Sequence, residues 1–378
     1  MNKTWLAVGL TCAVAAVGCG RMPAPQAGSG VALAASASAA GPEMTFVANQ
    51  DYMPAVEKLL ARPGIRSVDV LQFSFAVKPG ATRRIFDQLA KLQASGVKVR
   101  VLMEGVAGTK DENQKTAALL QAAGIEAVKL SAEHTTHAKA ICVDGEALLM
   151  GSTNWTVTSI ERNNETNALI RSPRLGQAFT RWYDRMWAGH EAMAEGATTD
   201  GDTTLFRDTA FYAEAEAMID SAERSLDIAT YFLAYRANNA RDAKVEALLK
   251  RIVDRAKALK AKGKPLSVRL FIDNNGISPE RQKSHTLEAA CHAKAYMAKH
   301  GLTDVHFDSA RQISHMKYIL KDAGTAGAEV LFGSTNWYWA DLDHHHQLNV
   351  RTSDPALVKR FADYQAARIA QAEPSPCD

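Results

Sequence analysis

The sequence has few cysteines and almost no net charge, and both shortages exclude classes of protein. It contains 44 Lys and Arg residues against 41 Asp and Glu residues, so no overall positive field argues for nucleic acid as an obligatory partner. Two of the five cysteines lie in the N-terminal leader discussed next, and the remaining odd number permits at most one disulfide. The chain is therefore no disulfide scaffold, and its cysteine spacing matches no zinc site.

The cysteines beyond the leader are Cys142, Cys291 and Cys377. Cys142 lies in an apolar run, which favours a small buried residue without chemical activity. Whether Cys291 and Cys377 form a disulfide is left open by the sequence.

The N-terminal segment is predicted to lie outside the folded part. Residues 1–19 combine a positive start at Lys3, an apolar stretch too short to span a bilayer comfortably, and small residues before Cys19. This pattern is typical of a secretory signal peptide. The last four residues, Ala-Val-Gly-Cys, resemble the bacterial lipobox, which implies a lipidated Cys19 and a lipoprotein of the cell envelope, either periplasmic or anchored in the outer membrane. Residues 20–42 are rich in Gly, Ala, Ser and Pro, as expected of a flexible linker.

The rest of the chain contains an internal repeat, which predicts a duplicated architecture. Two strand-like segments of the first half return in the second: SVDV at 67–70 as SLDI at 225–228, and VRVL at 99–102 as VRLF at 268–271. Between them, apolar spacing predicts helices over 83–95 and 243–262. The order strand, helix, strand, helix indicates α/β layers. We predict two similar halves, residues 43–197 and 198–378.

One pattern of chemically active residues occurs late in each half. The first copy reads His137-Ala138-Lys139, Asp144 and Gly151-Ser152-Thr153-Asn154-Trp155; the second reads His315-Met316-Lys317, Asp322 and Gly333-Ser334-Thr335-Asn336-Trp337. In an extended strand residues i and i+2 share a face, so each His projects with its Lys. Asp144 and Asp322 lie an odd number of positions further on and are predicted to be structural. His292-Ala293-Lys294 lacks an acid at this spacing and lies in a predicted helix, so it is not counted as a third copy of the pattern.

These segments resemble the HKD motifs of the phospholipase D superfamily, and GSTNW resembles its companion Gly-Ser-x-Asn element. The resemblance covers about residues 45–370. It implies two similar mixed-sheet α/β sandwich halves, related by a pseudo-two-fold axis, with one active site at their interface. Both half-sites lie in one chain, so a monomer is expected.

Cleavage of a phosphodiester needs a nucleophile, an acid for the departing oxygen, and positive donors around the phosphate. One neutral histidine attacks to give a phosphohistidine, while the other protonates the leaving group and then activates water. By resemblance to tandem-motif enzymes, His137 is assigned as nucleophile and His315 as acid. Lysine, asparagine and serine side chains are expected to hold the phosphate: Lys139, Lys317, Asn154, Asn336, Ser152 and Ser334. This cage does the work of a divalent metal, so neither a metal nor another cofactor is expected.

Each imidazole also needs an acceptor that sets its tautomer. Eleven residues after Asn154 stands Glu165, where the superfamily commonly has a glutamate, and eleven after Asn336 stands Gln347. One histidine is therefore expected to have a charged partner and the other a neutral partner. The histidine beside the glutamate is expected to have the higher pKa. Which histidine pairs with which acceptor is left open.

The run His344, His345 and His346 is interpreted as structural or as part of the substrate rim. Three consecutive residues cannot all face one metal ion.

The motifs do not determine the substrate. A lipid-tethered envelope enzyme is held beside phospholipids, so hydrolysis of a phospholipid headgroup bond to phosphatidic acid is the first hypothesis. The alternative is an envelope or secreted nuclease, suggested by basic residues along one segment: Lys250, Arg251, Arg255, Lys257, Lys260, Lys262 and Lys264. A binding protein without catalytic activity is disfavoured because both copies of His, Lys and Asn are intact.

Overall fold

The computed structural model describes residues 41–193, 196–274, 285–308 and 312–377, all of which belong to one compact unit. The predicted signal peptide, its Cys19 and nearly all of the predicted linker lie outside the described residues. Within the described ranges, no helix has the length and apolar character needed to cross a membrane.

The first half forms a mixed seven-stranded sheet with strand order β1-β7-β6-β5-β2-β3-β4. Its strands are β1 Glu43–Ala48, β2 Ser67–Gln72, β3 Lys98–Met103, β4 Val128–Leu130, β5 Ala140–Val143, β6 Ala147–Gly151 and β7 Thr166–Arg171. Its helices are α1 Tyr52–Leu60, α2 Ala81–Ala94, α3 Lys110–Ala122, α4 Val157–Glu161 and α5 Pro173–Trp187. Strands β2, β3 and β4 are parallel, and the remaining pairs are antiparallel.

The second half forms a mixed eight-stranded sheet with strand order β12-β11-β10-β13-β14-β15-β9-β8. Its strands are β8 Gly196–Asp200, β9 Thr203–Arg207, β10 Ser225–Thr230, β11 Ser267–Ile272, β12 Val305–Phe307, β13 Lys317–Lys321, β14 Glu329–Gly333 and β15 Leu348–Thr352. The described helices are α6 Ala210–Ser221, α7 Ala243–Ala261, α8 His285–Lys299, α9 Trp339–Asp343 and α10 Pro355–Ile369. The predicted division between residues 197 and 198 stays a prediction, and it falls within β8.

The two α/β halves confirm the predicted fold class and the repeat. Asp69 pairs with Arg100 across β2 and β3, and Asp227 pairs with Arg269 across the corresponding strands β10 and β11. In both pairs the guanidinium donates to the carboxylate, so the repeated sequence carries a repeated ion pair. His292 lies in α8, as predicted for a chance match to the motif.

Apolar side chains of both halves form one shared core between the sheets. The first half contributes Leu148 and Phe179, and the second contributes Tyr318, Phe332 and Phe361. Buried aliphatic and aromatic side chains in protein cores are packed as closely as in organic crystals. The shared core therefore holds the two sheets in a defined relation, which the active site requires.

Asp144 and Asp322 close tight turns at the ends of β5 and β13. Both residues have positive φ angles, 57° and 51°. The Asp144 carboxylate accepts hydrogen bonds from two backbone N–H groups at the start of β2, and that of Asp322 accepts from three at the start of β10. These contacts tie together the ends of the strands far from His137 and His315.

A disulfide joins Cys291 in α8 to Cys377, a pairing that the sequence left open. Cys142 is free and buried, as its apolar surroundings predicted.

Candidate active site

The two His-x-Lys segments are held by backbone hydrogen bonds from the opposite half. The N–H groups of His137 and Ala138 donate to the carbonyl of His346 at 2.9 and 3.0 Å, and the N–H of His315 donates to the carbonyl of Asn164 at 2.8 Å. His346 and Asn164 each precede the acceptor that the sequence singled out, Gln347 or Glu165. Each half therefore delivers its acceptor to the histidine of the other half.

His315 is paired with Glu165. Its Nδ1 lies 3.0 Å from Glu165 Oε2, and the glutamate side chain is completely buried. The hydroxyls of Ser152 and Ser159 donate to the two carboxylate oxygens at 2.5 and 2.6 Å, and Asn163 Nδ2 donates at 3.1 Å. Burial alone would raise the pKa of Glu165, but the opposing effects of His315, Lys317 and Ser152 lower it below its ordinary value. The carboxylate is therefore ionised at neutral pH.

His137 has two side chains beside its Nδ1, and one of them is charged. The amide of Gln347 lies at 3.3 Å through Oε1 and at 3.2 Å through Nε2, and Asp341 Oδ2 lies at 3.4 Å. The expectation that one imidazole has only a neutral partner is wrong, because α9 brings the Asp341 carboxylate against the ring. Asp341 is buried, and it accepts hydrogen bonds from the backbone and side-chain amides of Asn336 and from His345 Nδ1.

Burial favours the neutral form of both imidazoles. It lowers the pKa of His137 well below the ordinary value, with Asp341 opposing that change and Lys139 and Lys317 adding to it. Burial also lowers the pKa of His315, with Glu165 opposing. At each histidine a carboxylate thus acts against burial, Asp341 at His137 and Glu165 at His315.

The lysines of the motif are buried beside their histidines. The Nζ of Lys139 donates to the carbonyl of His137, and that of Lys317 donates to the carbonyl of His315. Burial lowers both lysine pKa values: that of Lys139 falls well below its ordinary value and that of Lys317 falls to about 7. An anion placed between the two ammonium groups would restore their charge, since an opposite charge favours the protonated form.

Two aromatic rings complete the floor of the site, and the motif analysis missed them. Phe73 lies edge-on to His137 at 4.8 Å between ring centroids, and Tyr231 lies edge-on to His315 at 4.7 Å. Each ring also lies under the lysine of its half, at 4.8 and 5.1 Å. The two residues are 158 positions apart, the same offset as Asp69 and Asp227, and this equal spacing was the signal that could have found them.

The serines and asparagines of GSTNW have different surroundings. The Ser152 hydroxyl donates to Glu165 and that of Ser334 donates to Gln347 Oε1 at 2.5 Å. These protons are committed to the acceptors and not directed at a phosphate, in contrast to the expectation from sequence. Among the described residues, the Oδ1 atoms of Asn154 and Asn336 have no hydrogen-bond partner. Each asparagine therefore has one side-chain acceptor without a partner at the site.

Glycine is required where each GSTNW turn begins. Gly151 and Gly333 have φ angles of 156° and 158°. A Cβ at either position would collide with the carbonyl oxygen of Thr166 or Leu348 on the adjacent strand. The close approach places each serine beside its acceptor.

The consecutive histidines diverge, as expected for residues that do not share a metal ion. His344 is exposed and packs against Trp339, His345 bonds to Asp341, and His346 bonds to Asp208 at 2.8 Å. In the described parts of the chain, no cluster of three or more His, Cys, Asp or Glu side chains is arranged to hold a metal.

Two of the seven basic residues between positions 250 and 264 are paired with carboxylates. Arg251 pairs with Glu216 and Asp220, and Lys250 pairs with Asp254. Such pairs are typical of a solvated helix face.

A family model described as "Cardiolipin synthase, PLD-like domain" matches the chain at residues 59–187 and again at 216–368. The chain is 30% identical over 104 residues to a mitochondrial cardiolipin hydrolase of Chlamydomonas reinhardtii, an alignment that covers 27% of this chain and 45% of that protein. It is 29% identical over 127 residues to a mitochondrial cardiolipin hydrolase of Xenopus tropicalis, covering 33% and 57% of the two chains. The matches thus span about half the length of these relatives.

Among solved structures, a phosphatidylserine synthase of Haemophilus influenzae Rd KW20 superposes with a TM-score of 0.64. The superposition covers 88% of this chain and 89% of the other, at 8% sequence identity. At that identity the likeness shows a shared fold.

Proposed function

The chain belongs to the phospholipase D-like family, and from that membership we propose that it hydrolyses the headgroup phosphodiester of a phospholipid through a phosphohistidine intermediate. The observation that carries the proposal is the pair of buried histidines, each oriented through Nδ1 by acceptors from the opposite half. With Nδ1 engaged in this way, Nε2 of each ring is left for the reaction.

The two histidines divide the chemistry between them. The His137 pKa lies well below its ordinary value, so the ring is neutral and its Nε2 can attack phosphorus. His315 lies 3.0 Å from its carboxylate, Glu165 Oε2, whereas His137 lies 3.4 Å from Asp341 Oδ2, so His315 is assigned to carry a proton and give it to the departing alcohol. As the nitrogen–phosphorus bond forms, the phosphorus–oxygen bond breaks and the alcohol leaves with the proton.

Water completes the cycle. His315, now neutral, takes a proton from water as its oxygen attacks phosphorus, and the bond to His137 breaks. The product is phosphatidic acid, and both imidazoles return to their starting states. Lys139 and Lys317 hold the phosphate oxygens with Asn154, while Ser152 and Ser334 keep Glu165 and Gln347 in place.

Two findings support a phospholipid substrate. The family model is described as cardiolipin synthase, and two relatives are named cardiolipin hydrolases. A lipidated Cys19, outside the described residues, would hold the site beside a membrane. The two cardiolipin hydrolases make cardiolipin a substrate to be tested together with phosphatidylcholine.

The test is incubation of the purified protein with labelled phosphatidylcholine, cardiolipin and single-stranded DNA. Release of phosphatidic acid or its cardiolipin equivalent is expected, and it should be abolished in His137→Ala. Cleavage of DNA with both lipids left intact would overturn the proposal in favour of a nuclease.

A further inference from the structure

Several counterpart residues differ between the two half-sites. From GSTNW onwards the halves align with a constant offset of 182 residues, so each first-half residue has one counterpart. Three of the differing pairs concern the carboxylate beside the histidine: Ser159 and Asp341, Asn163 and His345, and Glu165 and Gln347.

In the first half the negative charge sits on Glu165. Ser159 and Asn163 are neutral, and both donate hydrogen bonds to Glu165 Oε1. The charge thus lies at the residue that reaches His315 across the interface.

In the second half the charge sits six residues earlier, on Asp341. The neutral Gln347 stands where the glutamate was, and Asp341 replaces the serine that supported it. The carboxylate still reaches the opposite histidine, with Oδ2 at 3.4 Å from His137 Nδ1. His345, the counterpart of Asn163, binds the other carboxylate oxygen, with 2.6 Å between Nδ1 and Oδ1.

We propose that Asp341 has taken over from position 347 the carboxylate function that serves His137, and that Asp341, held by His345, is the positioning residue of this half-site. The inference rests on the proposed function, in which His137 is the nucleophile.

The chemistry explains why a carboxylate is needed there. When His137 Nε2 bonds to phosphorus, the ring becomes a positively charged imidazolium that still carries its proton on Nδ1. Gln347 can accept that hydrogen bond but supplies no charge, whereas Asp341 supplies a full negative charge in a buried site. The remaining charged or titratable groups that face His137 are Lys139, Lys317 and His345, which all oppose the positive ring.

The experiment transfers the carboxylate from position 341 to position 347. Asp341→Ser removes the carboxylate, and Asp341→Ser/Gln347→Glu gives these two positions the serine and glutamate of the first half. We expect kcat to fall about 10- to 100-fold in the single variant, by analogy with the loss of a carboxylate that orients a metal-bound histidine, with little change in KM. The double variant should recover most of the loss. Asp343→Ser, on the same helix but paired with Lys244, is the matched control and should retain wild-type kcat.

Vanadate binding tests the same point without a lipid substrate, so failure of this inference can be told apart from failure of the proposed function. As an analogue of the five-coordinate state, vanadate should bind about tenfold more weakly to Asp341→Asn, measured by calorimetry, and affinity should return in Asp341→Asn/Gln347→Glu. The asparagine variant keeps the shape of the side chain if the serine variant fails to fold. Double variants no better than the single ones, in kcat and in vanadate affinity, would overturn the proposal.

Discussion

Glu165 Oε2 lies 3.0 Å from His315 Nδ1, although 150 residues separate the two in the chain. The glutamate follows the short helix α4 in the first half, and the histidine precedes β13 in the second. Because each half supplies the acceptor for the other, neither half contains a complete pair of oriented imidazole and carboxylate. One active site therefore depends on both halves and on the core packed between them.

Glu165→Gln should impair the function of His315 as an acid more than it destabilises the fold. Since Glu165 opposes the lowering of the His315 pKa by burial, its loss lowers that pKa further. The alkaline limb of the kcat/KM profile, where the acid loses its proton, should move to lower pH, and kcat should fall about 10- to 100-fold. The pH profile is measured beside Glu161→Gln, an exposed residue of α4. An unshifted alkaline limb would contradict the assignment of His315 as acid.

The histidines can be distinguished by trapping the intermediate. His137→Ala should form no phosphoenzyme, whereas His315→Ala should still form one slowly from a substrate whose leaving group is already acidic and needs little protonation. The intermediate should accumulate in His315→Ala because the group that activates water is missing. Phosphohistidine is acid-labile, so an alkaline quench followed by peptide mass spectrometry is used. Label on the His315 peptide would reverse the assignment.

Substrate binding should weaken as pH rises through about 7. Burial lowers the pKa of Lys317 to about 7, so the free enzyme carries this positive charge below that pH and loses it above. Because the charged form attracts the phosphate, KM should rise with pH, approaching about tenfold per unit for one lysine. KM is measured from pH 6 to 9, with Lys317→Arg as the comparison because arginine stays charged. A KM that is constant over this range would refute the role of Lys317 in holding the phosphate.

Activity should survive excess chelator. In the proposed mechanism the ammonium groups of Lys139 and Lys317 and the amide of Asn154 take the place that a divalent ion has in other phosphodiesterases. The measurement compares initial rates with and without EDTA. Complete loss of activity, restored by one divalent ion, would show that the lysine cage is insufficient.

Cys19→Ser should release the protein from membranes into the soluble fraction. Lipid chains on Cys19 would provide the anchor, since each buried methylene contributes about 0.8 kcal/mol to membrane binding. Fractionation and incorporation of labelled palmitate are compared with the wild type. Unchanged membrane association of the variant, with no palmitate in the wild type, would exclude lipidation.

Local patterns in the sequence predicted the elements and the motif well. The helices predicted over 83–95 and 243–262 are α2 and α7 to within two residues, and the repeated strand segments lie in β2, β3, β10 and β11. His137 and Lys139 share a face as predicted, since both contact Phe73, although they lie just before β5 and not within a strand. These features depend on residues that are close together in the chain, so the spacing of residue types predicts them.

The sequence by itself determined the duplication, the strand and helix pattern and the paired His-x-Lys segments, because each depends on local periodicity or on identity between the halves. Only the tertiary structure decided that Glu165 serves His315, that Gln347 and Asp341 serve His137, and that the serine hydroxyls point to the acceptors. The physical reason is that these contacts arise where two sheets dock through a shared apolar core. The distance between side chains on opposite sides of that interface is set by packing, and no spacing along the chain encodes it.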